Sequence, residues 1–397
     1  MDFLTSLLGI LVFIGIAWLL SEHKKNIRWK TVLYGLLTQF VFALFILKTG
    51  PGKYVFASMK DGVNTLMKFT AAGSEFVFGD LMKTGFSFAL LVLPTIIFFS
   101  SLFAVLYYFR VLQLFVRIFT VLLSKILGTS GAESLSAAAN IFMGQTEAPL
   151  MVKPYVEKMT RSELMTLMTG GMATVSGGVL AAYVGMGVDA GHLIAASVMS
   201  APAAIIFAKI IVPETETPLT VNVTNIEIEI TDQNPLDAAA RGAHEGMFLA
   251  LNVAAMLIAF IAFVAMFNYF LALAGTSMEQ ILGFIMRPFA FLMGVPWEEA
   301  GKVGTLLGEK TVLNEFVAYK HLGELSASNT PLSSKSTVIA TYALCGFANF
   351  ASIAIQLGGI SGIAPSRRGE IASLGLKAMI AGTFASFITA NIAALLL

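Results

Sequence analysis

Charge is scarce in this chain. Only 12% of its 397 residues are Asp, Glu, Lys or Arg, about half the roughly 25% of an ordinary soluble domain. Net charge is +1, so no basic surface is available to hold nucleic acid. The single cysteine, Cys345, excludes an internal disulfide. It sits in an apolar run and reads as a small packed residue. The four histidines (His23, His192, His244, His321) are scattered, and His244-Glu245 lacks the second histidine of a zinc-binding helix. No Gly-x-Ser-x-Gly elbow is present. The stretch from Gly304 to Thr311 looks like a phosphate loop, but Glu309 separates Gly308 from Lys310 and would repel phosphate. An organic cofactor is therefore not expected.

Apolar residues fill the space that charge leaves. The chain is 57% hydrophobic, with 35 Gly and 32 Phe, and its mean hydropathy is +0.81. These values place it among membrane proteins. A spanning helix needs about 20 apolar residues. Segments 3–20, 31–47, 86–109, 164–184, 193–212, 248–273, 337–357 and 371–396 qualify, giving an all-α polytopic protein of about eight spans. The positive charges follow the first segment, the reverse of a cleaved signal, so it is expected to be retained. Lys24, Lys25, Arg28, Lys30, Arg110, Arg117, Lys125, Lys153, Lys158, Arg161, Arg367 and Arg368 share one side if both termini face outward. The positive-inside rule makes that side cytoplasmic.

Three stretches mix apolar and charged residues at helical spacing: 53–80, 111–127 and 278–293. They are expected to be amphipathic helices lying in the interface with lipid. Residues 213–237 form an acidic, alternating, watery loop with the pattern of a short hairpin. Its Asn222-Val223-Thr224 matches a glycosylation acceptor only by chance, because the loop is expected on the cytoplasmic side.

Two glutamates interrupt the apolar pattern. A carboxylate at membrane depth costs roughly 2.5–3.5 kcal/mol on insertion scales and marks a functional site by default. Glu147 lies in Gly144-Gln145-Thr146-Glu147-Ala148-Pro149-Leu150, and Glu315 in Val312-Leu313-Asn314-Glu315-Phe316. The apolar stretch before Gly144 is too short to span, and Pro149 breaks the helical ladder. Residues 131–156 are expected to be a re-entrant hairpin, and residues 299–321 repeat the design. Each hairpin precedes a segment rich in small and polar residues: Gly170 to Gly178, and Cys345 to Ser352. With the topology above, the first hairpin enters from inside and the second from outside, the signature of an inverted-repeat transporter.

Opened helix ends supply the chemistry. Free carbonyls near Asn140, Met143, Thr174 and Val175, with two side-chain oxygens, suit a small hard cation. Gln145, Thr146, Glu147, Asn314, Glu315, Asn349 and Ser352 offer donors and acceptors to a neutral, hydroxyl-rich solute, beside the flat ring of Phe347. Plainer roles compete with these. The glutamates are candidates for ion pairs with Lys153, Lys310 or Lys320. Asn349, Ser352 and Thr174 are candidates for helix–helix hydrogen bonding, and Phe347 for ordinary packing.

The motifs at 144–150, 314–316 and 346–352 (Gly-Phe-Ala-Asn-Phe-Ala-Ser) closely resemble the concentrative nucleoside transporter family, and the match covers essentially the whole chain. The resemblance implies a homotrimer in a bacterial inner membrane; the positive-inside rule above then makes the N- and C-termini periplasmic. Each protomer would have a scaffold and a mobile transport domain carrying both hairpins. In this chain the divisions fall at 1–128 (scaffold and interfacial helices), 129–212 (first hairpin and broken helix) and 213–240 (polar loop). They continue at 241–294 (scaffold and interfacial helices), 295–363 (second hairpin and broken helix) and 364–397 (last span).

By position, Gly144, Gln145, Thr146, Glu147 and Val179 would serve the nucleobase. Glu315, Asn349 and Ser352 would bind ribose hydroxyls, with Phe347 against the sugar. Sodium, the co-transported ion, would sit at Asn140, Met143, Thr174 and Val175. The implied activity is sodium-driven import of nucleosides, uridine-like ones, with the choice between purine and pyrimidine left open, by alternating access and with no enzymatic chemistry. Coupling to protons stays open at this point, and a passive pore or an intramembrane enzyme are more distant readings.

Overall fold

The computed structural model describes residues 2–84, 88–221 and 232–397. Among these, all regular structure is helical. In chain order the helices are α1 (Asp2–Leu19), α2 (Trp29–Lys48), α3 (Gly50–Phe78), α4 (Leu93–Tyr108), α5 (Val111–Leu127) and α6 (Gly131–Ala139). Next come α7 (Ala148–Met151), α8 (Lys153–Val156), α9 (Arg161–Ala173), α10 (Gly177–Gly185), α11 (Ala190–Ile211) and α12 (Pro235–Ala272). The last six are α13 (Met278–Leu292), α14 (Trp297–Val312), α15 (Glu315–Ser326), α16 (Ser334–Leu344), α17 (Phe350–Ile363) and α18 (Arg368–Leu396).

Six helical stretches are long and apolar enough to cross a membrane: Trp29–Lys48, Ala89–Tyr108, Arg161–Gly185, Ala190–Ile211, Pro235–Ala272 and Pro365–Leu396. The other two expected spans differ in detail. α1 is a shorter apolar helix, and the segment at 337–357 is interrupted between α16 and α17. The centre of the protein is α9, α11 and α18, which pack on one another. At the other extreme α12 lies almost wholly outside, packed on α4. Its Ile258, Phe263, Phe267 and Phe270 are exposed. So broad an apolar outer surface belongs in lipid or against another subunit.

The expected interfacial segments are single helices. Residues 53–80 fall largely within the mostly exposed α3, 111–127 are α5, and 278–293 contain α13. α13 does more than lie flat. It turns through 118° into α14, and the two pack so closely that a Cβ on Gly304 would lie 2.7 Å from the Gly283 carbonyl oxygen. Glycine at both places lets the backbones meet. Of the expected hairpin at 213–237, residues 222–231 lie outside the described residues, Asn222-Val223-Thr224 among them, and the described flanks 213–221 and 232–237 hold no strand.

Both expected hairpins are present as chain reversals. Hairpin 1 starts at a capping box, Ser130 with Glu133, and the chain resumes at a second one, Thr160 with Glu163. The Ser130 hydroxyl donates to the Glu163 carboxylate, so entry and exit share one place. In hairpin 2, formed by α14 and α15, Lys302 Nζ donates to the Thr330 carbonyl at 2.7 Å. Ser333 Oγ donates to Glu299 at 2.8 Å, which closes that mouth as well.

The two mouths lie on opposite faces. The broken helix α16–α17 begins at the Ser333–Glu299 mouth. It leads to Arg367, which donates to the Met159 carbonyl at 2.8 Å beside the other mouth. The broken helix α9–α10 runs the other way, from Thr160 to Met186. The Met186 carbonyl oxygen lies 3.0 Å from where a Cβ on Gly323 of α15 would sit.

Ion pairs mark the two faces. On one, Arg161 Nη2 binds Glu22 at 2.8 Å, Lys377 binds the same carboxylate, and Arg367 pairs with Glu370. On the other, at the opposite end of α11, Lys60 binds Asp189 at 2.6 Å. Glu22 lies in the link between α1 and α2. The Arg161 guanidinium, with help from Lys377, holds its carboxyl down at about 2.

A carboxyl depressed on folding stabilises the fold above its unfolded value, and that contribution is lost as pH falls through the folded value. Thermal stability in detergent is therefore expected to lose the Glu22 contribution between about pH 4.5 and about pH 2. Glu22→Gln should flatten that part of the curve. An unchanged curve would mean that the cluster contributes nothing. A second expectation concerns Gly346, at φ +127°, where a Cβ would come within 2.8 Å of the Met172 carbonyl oxygen. Gly346→Ala should cost about 1–3 kcal/mol, read as a lowered melting temperature. Gly362→Ala, with nothing within 4 Å, should be neutral or slightly stabilising.

Candidate substrate and ion site

Two breaks in two helices meet at the centre. α9 stops at Ala173 and α10 restarts at Gly177; α16 stops at Leu344 and α17 restarts at Phe350. The Phe347 N–H donates to the Thr174 carbonyl at 3.3 Å, across the gap. Gly346 presses against the backbone of Met172 and Ala173, a closeness no side chain permits. The hairpin 1 tip, residues 140–147, joins them through the Gly177 N–H, which donates to the Phe142 carbonyl at 3.0 Å.

Each hairpin places its glutamate at the start of its second limb. Glu147 is the N-cap position of α7, and Glu315 is the first residue of α15. Asn314 caps α15, its Oδ1 accepting from the Val317 N–H at 3.1 Å. Glu315 is 3% exposed, and both of its oxygens are engaged. Tyr183 Oη donates to Oε1 at 2.9 Å, and Asn349 Nδ2 donates to Oε2 at 2.9 Å. Asn349 Oδ1 accepts from the Ser352 N–H at 2.8 Å, so Asn349 caps α17 rather than lying within it. Ser352 Oγ accepts from Gln145 Nε2 at 3.1 Å.

One chain of hydrogen bonds thus joins Gln145, Ser352, Asn349, Glu315 and Tyr183 across four elements. Phe347 and Val179 are buried beside it on the break and on α10. Thr146 packs on Gly359. Gly144 and Glu147 remain within the tip, the Glu147 carboxylate folded back over Gly144. The Glu147 carboxylate stands apart from that chain: its Oε2 is buried without a partner, as is Gln145 Oε1. Buried acceptors of this kind call for a donor from a ligand or water.

The expected ion residues converge nearby. Asn140, Thr174 and Val175 are buried, and Met143 is half-buried. Thr174 Oγ1 donates to the Gly170 carbonyl at 2.9 Å. Asn140 Nδ2 donates to the Ser136 carbonyl at 2.9 Å and lies next to Gly170. Asn140 Oδ1 is buried with no partner. Among the described residues no cluster of three His, Cys, Asp or Glu could hold a metal. The donors here are neutral oxygens at an opened helix end, a set that fits sodium.

The plainer role for Glu315 finds no support in these contacts. Lys310 spends its ammonium on the Ala343 carbonyl at 2.9 Å, Lys320 pairs with Glu324, and Lys153 is exposed. Sequence reasoning missed Tyr183 and Gln356. Gln356 Nε2 donates to the Met168 carbonyl at 2.9 Å and ties α17 to α9. A phenol inside a small, apolar segment was the available signal, because a buried tyrosine hydroxyl seeks a partner.

The whole chain also matches known sequences. A model described as Na+ dependent nucleoside transporter N-terminus matches residues 8–81, and one for the C-terminus matches residues 192–394. A model described as a nucleoside recognition gate matches residues 89–190. The chain belongs to the Na+ dependent nucleoside transporter family.

It is 48% identical to an uncharacterized transporter, YutK, of Bacillus subtilis over 99% of each chain. It is 42% identical to sodium/nucleoside cotransporter 1 of Rattus norvegicus, over 99% of this chain and 64% of that one. Among solved structures, CNTnw in an inward-facing substrate-bound state superposes with a TM-score of 0.95 at 44% identity, covering 100% of this chain and 98% of that one. A substituted CNTnw in an outward-facing state gives 0.96, covering 100% and 99%. The family and fold are those of transporters, not enzymes.

Tyr183→Phe tests the hydrogen-bond chain. It leaves one oxygen of the buried Glu315 without its donor, which should cost about 1–3 kcal/mol. The readout is the melting temperature of the purified protein. No change would mean that the Tyr183 hydroxyl is not needed there.

Proposed function

We propose that this transporter imports nucleosides, uridine among them, across the cell inner membrane with sodium, by alternating access, as a homotrimer. The observation that carries this reading is the hydrogen-bond chain at Glu315. It aims a carboxylate, an amide and a hydroxyl into one buried place between two opposed hairpins. Ribose offers two adjacent hydroxyls, and a carboxylate that accepts from them needs no proton of its own. Gln145, Thr146 and Glu147, with Gly144 and Val179, serve the base. Their unpartnered acceptors, Gln145 Oε1 and Glu147 Oε2, suit its N–H groups directly or through water. Phe347 covers the sugar.

Sodium at Asn140, Met143, Thr174 and Val175 ties the hairpin 1 tip to the end of α9, and so favours the arrangement that presents Gln145. By linkage, substrate then strengthens sodium binding by the same factor. The energy suffices. A tenfold gradient supplies about 1.4 kcal/mol, and 100 mV adds about 2.3 kcal/mol per charge. Together they support roughly 500-fold accumulation for one ion.

Two hairpins with mouths on opposite faces suit a mobile unit that opens to either side. It comprises 129–212 and 295–363, with 1–128 and 241–294 as scaffold. Arg28, Lys125 and Arg161 gather on the Glu22 face, which the positive-inside rule makes cytoplasmic.

Proteoliposome uptake of labelled uridine is the test. An inward sodium gradient should drive accumulation above equilibrium, and Glu315→Gln should reduce it roughly 10–150-fold while the assembly remains intact. Uptake driven by a pH gradient with no response to sodium would replace sodium with protons. Simple equilibration would indicate a pore.

A further inference from the structure

The two broken helices end alike but are completed differently. α9 and α16 each leave carbonyl groups at a buried C-terminus. Such an end carries roughly half a negative charge, and with no water at hand its carbonyls need other partners.

At the end of α16 the partner is Lys310. This residue is 1% exposed. Its ammonium donates to the Ala343 carbonyl at 2.9 Å and approaches Ser386 Oγ at 3.4 Å. Ser386 in turn donates to the Cys345 carbonyl at 2.7 Å. At the end of α9 the corresponding side chains are neutral. Thr174 and Asn140 attend the Gly170 carbonyl region, and Asn140 Oδ1 is left over.

The inverted arrangement makes the two places comparable. Asn140 closes α6, the first limb of hairpin 1. Lys310 sits in the last turn of α14, the first limb of hairpin 2. Each limb leads into the tip that carries its glutamate. Behind each stands one long buried helix that contributes a serine to an open carbonyl: Ser197 of α11 to Ile141, and Ser386 of α18 to Cys345.

We infer that Lys310 is a tethered cation: in the second repeat its ammonium takes the place that a free sodium ion takes in the first, which sets coupling at one sodium ion per nucleoside. This inference rests on the sodium-symport reading above. The alternative duty for Lys310, neutralising Glu315, does not match the contacts. The Glu315 oxygens are held by Tyr183 and Asn349, whereas the ammonium faces a carbonyl and a hydroxyl. A lysine amine has three donors and no acceptor, so it satisfies carbonyls as a metal ion does but cannot leave during the cycle.

The test is a count of bound sodium. Radioactive sodium is titrated into the purified full-length protein with saturating uridine, and the sodium dependence of its melting temperature is followed in parallel. The wild type is expected to bind one ion per protomer, with a Hill slope of about one. Lys310→Ser removes the ammonium and leaves an oxygen. It is expected to bind a second ion and raise the slope towards about two, whereas Lys310→Arg keeps one.

Two ions on the wild type would overturn the inference, as would a folded Lys310→Ser protein that still binds only one. If Lys310→Ser unfolds in potassium, recovery in high sodium supports the inference, and no recovery at any sodium concentration overturns it. A wild type that binds no sodium at all would instead sink the symport reading itself.

Discussion

A helix cannot be opened inside a hydrocarbon layer unless something other than water takes up its free carbonyls and amides. This chain opens two, and it meets the requirement by setting the openings against each other. The Phe347 N–H reaches the Thr174 carbonyl, Gly346 allows the backbones to touch, and the hairpin 1 tip adds the Gly177–Phe142 bond. The rest of the architecture follows from that joint. The hairpins bring polar tips to the same depth. α9, α11 and α18 are buried because they wall the joint off, and α12, packed on α4, stays outside that wall.

The joint also separates two kinds of polar contact. Around Glu315 each carboxylate oxygen already has a donor from the protein. Around Glu147, Gln145 and Asn140 individual acceptors lack donors. The first arrangement holds a carboxylate in one fixed orientation. The second leaves buried acceptors open to a donor from outside the protein.

Much of this was legible in the sequence. The scarcity of charge gave the class, and two stranded glutamates gave the hairpins. The motifs around 144–150, 314–316 and 346–352 brought Gln145, Ser352, Asn349 and Glu315 together as expected. What escaped had physical reasons. Tyr183 looked like one more apolar residue because nothing local shows that Glu315 lies opposite; their bond spans 132 positions. Lys310 looked like an ion-pair candidate, since sequence shows charges but not the carbonyl ends they face. Spacing alone does not distinguish a capping residue from a first-turn residue, so it does not report that Asn349 caps α17. The tight α13–α14 pair depends on glycine contacts between distant positions, and periodicity does not report those.

Hairpin 1 has a consequence for how the protein is made. Its first limb, α6, is built of glycine, alanine and serine around a buried glutamate, a composition with little affinity for lipid. Glu133 is neutralised by Lys209 at 2.6 Å, and Lys209 also reaches Ser162 Oγ at 3.0 Å. That lysine lies near the end of α11, which emerges from the ribosome well after the hairpin. Until α11 is complete, Glu133 lacks the ammonium that it pairs with in the folded protein, so the hairpin has no stable place within the bilayer. Insertion of this half is therefore governed by its last helix. A chain truncated before residue 209 would hold hairpin 1 at the membrane surface.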